Sequence, residues 1–122
     1  MVQHYDGTFV PPTLIEIGAV SDLPGEVFGP VLVMIPYDSE DDAVRIANNS
    51  KYGLSGGVLS ADDDRALAIG RRIRTGTFSI NGGNYFTPDV PFGGYKESGL
   101  GREHGREGVL AYTETKSVLV AL

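Results

Sequence analysis

The residues of this chain that could do chemistry are few, and they do not form a complete catalytic set. Among 122 residues there is no cysteine, and the two histidines, His4 and His104, lie far apart in sequence. This composition excludes a disulfide framework, a thiolate metal site and a cysteine nucleophile within these residues, and it argues against a zinc site. Ser98 lies close to His104 in sequence, but no nucleophile-elbow pattern surrounds it, so we interpret it as a solvated loop serine.

Glycine is the most unusual component, with 17 residues, roughly twice the average usage. Gly99, Gly101 and Gly105 come close to the fingerprint of dinucleotide-binding proteins, with one extra residue before the last glycine. A true fingerprint follows a strand and opens a βαβ unit, whereas these glycines begin at the end of a long loop over residues 82–101. Loops of this length are usually functional or disordered. We therefore interpret the glycines as turn residues and the loop as a candidate functional segment.

Charge and hydropathy narrow the class of protein further. The net charge of −6 argues against nucleic acid as a partner. No apolar run reaches the roughly 18 residues that a membrane span needs. The first residues also lack the basic-then-apolar pattern of a signal peptide. We therefore expect a cytoplasmic protein with neither a nucleic-acid nor a membrane partner.

Helix patterns and apolar runs predict the elements that must position these residues. Ser39 is a good N-cap before an apolar stripe, and a second helix pattern runs from Asp62 through several arginines to Gly76. A third helix is expected near Glu103–Ala111. Strands are predicted at Thr13–Ile17, Val31–Tyr37, Gly57–Ser60, Thr77–Asn81 and Ser117–Leu122. This order predicts an α/β fold with a partial, mainly parallel βαβαβ sheet and a strand at the C-terminal end.

Six separated blocks of sequence carry a resemblance to a known family. They are Gly7–Leu14 (GTFVPPTL), Glu26–Val31 (EVFGPV), Asn48–Leu54 (NNSKYGL), Gly76–Asn81 (GTFSIN), Pro91–Glu103 (PFGGYKESGLGRE) and Tyr112–Lys116 (YTETK). In this order they resemble the C-terminal part of the NAD(P)-dependent aldehyde dehydrogenase superfamily. The likeness covers almost the whole chain, so chance agreement over six ordered blocks is a poor explanation.

The resemblance implies both an architecture and a reaction. Residues 1–111 would be the C-terminal part of a catalytic domain, and residues 112–122 an oligomerisation strand. In the family a cysteine attacks the aldehyde to form a thiohemiacetal, hydride passes to NAD or NADP, and a thioester is hydrolysed to the carboxylic acid. The implied partners are an aldehyde substrate and either further copies of the enzyme or the portion of it missing here. The family's nucleophile and dinucleotide-binding domain are absent from this chain.

Two candidate cofactor residues follow from the Glu26–Val31 block. Glu26 corresponds to the family glutamate that accepts hydrogen bonds from the nicotinamide ribose, and Phe28 to the aromatic residue beside the nicotinamide. Without the resemblance, Glu26 would be interpreted as a surface carboxylate and Phe28 as a core residue. One departure lies next to them, because Gly25 stands where the family usually has a second acid, and the chain is short between Leu14 and Gly25.

Four candidate pocket residues follow from the loop that begins at residue 82, which resembles the segment lining the family's aldehyde entrance. Phe86 and Phe92 fall at positions where family members place aromatic pocket walls. Asn84 and Tyr85 would lie nearby and influence the choice of substrate. Simple packing between glycine turns is an equally good interpretation of Phe92. Different blocks of the sequence resemble different branches of the family. The sequence therefore does not indicate which aldehyde is used or whether the cofactor is NAD or NADP.

Two hypotheses about function remain open from the sequence. The chain is either a section of an aldehyde dehydrogenase or a non-catalytic interaction and oligomerisation module derived from one. The run Ser117–Leu122 carries no charge, so as an exposed strand edge it would favour pairing with another chain under either hypothesis.

We predict that the 122-residue chain alone oxidises no aldehyde, because it contains no cysteine to attack the carbonyl carbon. The measurement is NADH absorbance with a panel of short, aromatic and semialdehyde substrates. Turnover above a blank, in protein shown to be free of host dehydrogenase, would contradict this prediction.

Overall fold

The computed structural model describes residues 7, 9–23, 25–83 and 86–121. The chain divides into two compact units, Met1–Asn49 and Ser50–Leu122, and each contains one pair of parallel strands. None of the helices in the described part of the chain has the length and apolar character that crossing a bilayer requires.

The first unit consists of two parallel strands followed by a helix. Strand β1 (Thr13–Glu16) pairs with β2 (Val31–Met34) in a register that places Thr13 opposite Val31, and a short 3-10 turn at Val20–Asp22 lies between them in sequence. Helix α1 (Glu40–Asn48) then begins at the predicted cap, where the Ser39 side chain accepts a hydrogen bond of 3.2 Å from the backbone N–H of Asp42. Capping side chains satisfy N–H groups that the first turn leaves unpaired, which explains why the helix begins at this residue.

The second unit is built from a parallel pair, an antiparallel ribbon and two helices. Its elements in chain order are β3 (Tyr52–Gly53), β4 (Ser55–Val58), α2 (Asp63–Gly70), β5 (Thr77–Ile80), β6 (Tyr95–Lys96) and α3 (Gly105–Leu110). Strands β4 and β5 are parallel with α2 as their crossover, and β3 pairs with β6 in the antiparallel sense. Asp62 caps α2 by accepting a 3.0 Å hydrogen bond from the Arg65 backbone N–H, and Ala66 is fully buried.

The structure confirms the α/β class with parallel strand pairs, but it corrects several details of the prediction. Among the described residues the strands form three separate two-stranded sheets rather than one sheet. Helix α2 ends at Gly70 instead of near Gly76, because the chain tightens into i→i+3 bonds from Arg72 to Ile69 and from Ile73 to Gly70. The predicted strand at Gly57–Ser60 begins two residues earlier, at Ser55.

The predicted terminal strand is not a strand in this structure. Residues 114–121 form no regular secondary structure, and none of them is paired with a described strand. The Leu119 side chain is 94% exposed. A strand needs a neighbour for its N–H and C=O groups, and the described residues of this chain provide none for this segment. Its pairing with another subunit therefore stays a prediction.

Much of the apolar surface has no cover within the described residues. Val44 and Ala66 are the only hydrophobic side chains there that are buried. The continuous apolar run in β2 predicts burial on both faces, yet Leu32 is 68% exposed and Met34 is 46% exposed. Contiguous exposed apolar surface is typical of faces that contact other protein.

Gly76 shows why the second unit needs so many glycines. Its N–H donates a 3.0 Å hydrogen bond to the carbonyl oxygen of Gly53, just before β5 begins. The backbone of Gly93 runs directly against it, so that a methyl group added to Gly76 would overlap the carbonyl oxygen of Gly93. The close approach is between two main chains, and neither can rotate away as a flexible side chain would.

We predict that Gly76→Ala lowers the free energy of unfolding by about 1–3 kcal/mol or more. This range is the usual cost of forcing an extra carbon atom into a packed site. The measurement is urea denaturation of purified protein. Gly83→Ala is the matched control, because a methyl group there would meet no atom within 4 Å. Equal stability of the two variants would show that the Gly76 contact is easily relieved.

Candidate functional site

The two candidate cofactor residues lie in the first unit, on the segment that leads into β2. Both Glu26 and Phe28 are exposed, and the Phe28 ring is 94% exposed. The segment is anchored just after them, because the Pro30 carbonyl oxygen accepts a 2.8 Å hydrogen bond from the Thr13 N–H at the start of β1. Without the resemblance to the family, Phe28 is predicted to be a core residue. That prediction is wrong for this chain, because Phe28 is exposed. An aromatic ring held this far into solvent is available to a ligand or to another part of a protein.

The pocket residues of the second unit form an aromatic cluster. The ring centroids of Phe86 and Phe92 are 4.9 Å apart with an interplanar angle of 81°, which is an edge-to-face pair. The His104 ring also packs on the Phe86 ring, with a centroid distance of 4.6 Å and an interplanar angle of 63°. The structure thus brings two of the four predicted pocket residues together. The other two, Asn84 and Tyr85, lie outside the described residues.

Backbone bonds hold the two segments of this cluster together. The N–H of Phe92 donates to the carbonyl oxygen of Glu103 at 2.8 Å, and the N–H of Glu103 donates back at 2.7 Å. The N–H of Gly105 donates to the carbonyl oxygen of Pro88 at 2.9 Å. The aromatic rings are therefore carried by segments that the main chain joins at more than one point.

His104 is the site residue that sequence reasoning missed. The sequence raises it only as a metal ligand or a partner of Ser98, and the structure shows a ring packed on Phe86 instead. Its backbone has φ 58° and ψ 175°, a combination that is rare for any residue other than glycine. The position of His104 directly after the Pro91–Glu103 block is a signal, but nothing in the sequence indicates a strained backbone there.

Asn81 fixes the beginning of the loop that carries the candidate pocket residues. Its side-chain oxygen accepts from the Ser60 N–H at 2.8 Å, and its side-chain nitrogen donates to the Ser60 carbonyl oxygen at 2.8 Å and to Asp63 Oδ1 at 3.0 Å. Its own φ is 54°. An asparagine tolerates this left-handed conformation better than most residues, so one side chain both turns the backbone and ties β5 to the start of α2.

The Pro91–Glu103 block uses its polar residues for internal bonds rather than for ligand binding. Ser98 Oγ accepts a 3.0 Å hydrogen bond from the Gly53 N–H, Lys96 Nζ donates to the Ser50 carbonyl oxygen at 2.9 Å, and Arg102 Nη1 donates to the Gly94 carbonyl oxygen at 3.0 Å. The interpretation of Ser98 as a solvated loop serine is therefore wrong, because the residue is half-buried and bonded.

One exposed group on the candidate pocket loop has a shifted pKa: the pKa of Asp89, between Phe86 and Phe92 in sequence, is lowered, first by the side chain of Thr87. The pKa of Lys51 is raised, first by its side-chain interaction with Tyr52 and then by the charge of Glu97, whose carboxylate is 3.5 Å from Lys51 Nζ. In the first unit, the hydrogen bond from Arg45 lowers the pKa of Asp42. All these groups are solvent-exposed or close to it, as expected of surface ion pairs. The described residues include no group of histidines and carboxylates suited to hold a metal ion.

The described side chains can form a wall of a pocket. They offer two apolar aromatic rings on a restrained loop and, in the other unit, an exposed carboxylate and an exposed aromatic ring. With no cysteine in the chain, no thiolate is available to attack a carbonyl carbon.

Comparisons with known proteins identify the family. The model of the aldehyde dehydrogenase family matches residues 2–118. The chain is 51% identical over 116 residues to geranial dehydrogenase of Castellaniella defragrans, covering 92% of this chain and 24% of that protein. It is 42% identical over 118 residues to aldehyde dehydrogenase [NAD(P)+] 1 of Saccharomyces cerevisiae, covering 95% of this chain and 23% of that protein.

Solved structures agree with the sequence relatives. An aldehyde dehydrogenase of Mycobacterium tuberculosis in complex with NAD+ superposes with a TM-score of 0.84 and 48% identity, over 94% of this chain and 24% of that one. Betaine aldehyde dehydrogenase of Staphylococcus aureus, also in complex with NAD+, gives a TM-score of 0.81 and 40% identity, over 88% of this chain and 22% of that one. The chain thus spans about a quarter of the length of the relatives it matches. With the family model covering nearly every residue and the fold matching at high identity, the chain belongs to the aldehyde dehydrogenase family.

Proposed function

We propose that these residues are the C-terminal section of an NAD(P)-dependent aldehyde dehydrogenase and that they supply one wall of its aldehyde pocket and a contact for the nicotinamide. The observation that carries the proposal is the edge-to-face pair of Phe86 and Phe92 on a loop joined by backbone bonds to Glu103 and Gly105. A cytoplasmic location of the enzyme is part of the same proposal.

The aromatic pair suits the substrate class. An aldehyde presents a small polar carbonyl group at one end and, in most cases, an apolar remainder at the other. Rings at 4.9 Å and near a right angle make a rigid apolar surface, which binds that remainder and keeps water from it. Orientation of the carbonyl group toward the attacking residue then follows from the fixed position of the wall.

Glu26 and Phe28 fit the nicotinamide half of the cofactor. Glu26 is an exposed carboxylate that can accept hydrogen bonds from ribose hydroxyl groups. The 94% exposed ring of Phe28 can pack on a flat heterocycle and limit the positions that it occupies. When bound, NAD(P) supplies the hydride acceptor. The residues of this chain bind and orient it, and the acid missing at Gly25 leaves Glu26 as the proposed acceptor on this segment.

The remaining proposal concerns assembly. Residues 112–122 are proposed to form an oligomerisation strand at a boundary between subunits, with residues 1–111 belonging to the catalytic domain. The support is that Val118, Leu119 and Val120 are at least 76% exposed, so that the segment offers both apolar side chains and unpaired backbone groups to a partner. The alternative of a non-catalytic module is not favoured, because the matched relatives are aldehyde dehydrogenases over nearly the whole chain.

A chimera tests the proposed function directly. Residues 1–122 would replace the matching section of geranial dehydrogenase, to which the chain is 51% identical. We expect a folded chimera that reduces NAD(P)+ in the presence of an aldehyde. A soluble chimera that binds NAD(P)+ but oxidises no member of a broad aldehyde panel would contradict the proposal.

In such a complete enzyme, Glu26→Gln should slow hydride transfer by roughly 10- to 150-fold, the rate equivalent of losing about 1.5–3 kcal/mol from a charge-assisted hydrogen bond. Binding of the cofactor should weaken less, because the adenosine half is held by residues elsewhere. Single-turnover kinetics and a cofactor titration separate the two effects. Glu16→Gln, another exposed carboxylate of the first unit, is the control and should leave both values unchanged.

We also predict that deletion of residues 117–122 from the complete enzyme lowers its oligomeric state, because the segment's backbone groups find no partner among the described residues of one chain. Light scattering after size-exclusion chromatography measures the mass of the assembly. An unchanged mass across a concentration series would show that this segment contributes nothing to assembly.

A further inference from the structure

The His104 side chain makes its clearest contact with a proposed pocket wall. The centroid of its ring is 4.6 Å from that of Phe86, which in turn is 4.9 Å from that of Phe92. We propose that His104 is a positioning residue that sets the Phe86 ring in the aldehyde pocket and thereby limits the length and bulk of the aldehyde accepted. This inference rests on the proposed function.

The backbone of His104 is held in a conformation that it would not adopt by itself. Its φ of 58° and ψ of 175° lie at the edge of a region populated almost only by glycine. The residue before it, Glu103, exchanges two backbone hydrogen bonds with Phe92, and the residue after it, Gly105, donates to Pro88. The two residues that flank His104 are therefore both hydrogen-bonded to the loop that carries Phe86. Strain of this kind persists only where its surroundings impose it, and it is concentrated at functional sites.

The contribution of the His104 side chain is its shape. The Nδ1 atom is buried and has no hydrogen-bond partner among the described residues. Buried polar atoms are usually satisfied, so no hydrogen bond from Nδ1 to a described residue accounts for the placement of the ring. The contact that the structure shows for this side chain is the packing of its flat ring on Phe86. A phenyl ring in the same place should therefore serve as well.

The position of His104 also explains how a residue outside the pocket loop can influence specificity. Phe86 directly follows residues 84–85 in sequence and is 62% exposed to solvent. A ring so exposed can turn about its first side-chain torsion unless a neighbour restricts it. Both the His104 ring and the Phe92 ring contact Phe86 and restrict this rotation. Removal of either contact would widen the range of positions open to Phe86.

The test uses the complete enzyme with His104→Ala, His104→Gly and His104→Phe, assayed on a series of straight-chain aldehydes from acetaldehyde to octanal and on benzaldehyde. We expect His104→Ala to change the ratio of KM for the long and short aldehydes by roughly two- to tenfold, the equivalent of one aromatic contact. The kcat value should change much less than KM. His104→Phe should restore the wild-type ratio, and Arg106→Ala, on an exposed position of α3, should leave it unchanged.

The variants His104→Gly and His104→Ala separate the effect of the backbone conformation from the effect of the ring. Both lose the contact with Phe86, but only His104→Gly relieves the positive φ. They should therefore share the altered KM ratio and differ in their melting temperature. If His104→Ala does not fold, the comparison of His104→Gly with His104→Phe decides the question.

Several outcomes would overturn the inference. One is a uniform loss of activity across all aldehydes in His104→Ala and His104→Gly, which would indicate a purely structural residue. Another is a failure of His104→Phe to restore the ratio, which would assign the effect to the imidazole nitrogens. If the wild-type enzyme is active and none of the variants alters specificity, only this inference fails. An inactive wild-type enzyme overturns the proposed function, and this inference falls with it.

Discussion

The pair of backbone hydrogen bonds between Phe92 and Glu103 is the interaction on which the candidate pocket depends. It joins the end of the pocket loop to the residue before His104, at N–O distances of 2.8 and 2.7 Å. The strained backbone of His104, its contact with Phe86 and the bond from Gly105 to Pro88 all require these two segments to stay side by side. Main-chain bonds between extended segments suit this purpose, because they depend little on side-chain identity and hold direction as well as distance.

The close packing of main chains in the second unit explains the glycine content. At Gly76 the backbone of Gly93 leaves no space for a Cβ atom, and at Gly53 a Cβ atom would lie 2.6 Å from the carbonyl oxygen of Arg74. Two further backbone groups near this contact are satisfied by Ser98 and by Arg102, which reach Gly53 and Gly94. In the motif that resembles a nucleotide fingerprint, Gly99 and Gly101 serve a different purpose, because both have a positive φ and an added Cβ atom would meet no atom within 4 Å. They are turn residues, as the sequence predicts.

The exposed apolar surface agrees with the finding that this chain matches only a section of longer enzymes. Phe28, Leu100 and Leu119 are at least 94% exposed, and β1 is exposed along its whole length. The relatives that share this fold are about four times longer than the matched section. A surface of this kind lowers the stability of a small isolated domain, because the hydrophobic contribution to folding scales with the apolar area removed from water.

The sequence by itself determined the elements whose causes are local. Ser39 and Asp62 begin their helices where predicted because a capping side chain acts within three residues, and the order of strands and helices was sufficient for the α/β class. The likeness to the family identified the family itself and named Phe86 and Phe92 as candidate pocket residues. Only the tertiary structure decided that His104 packs on Phe86, that Ser98 is bonded to Gly53, and that the end of the chain has no strand partner among the described residues. These features depend on residues far apart in sequence, and on a positive φ that a histidine adopts only when distant backbone bonds impose it.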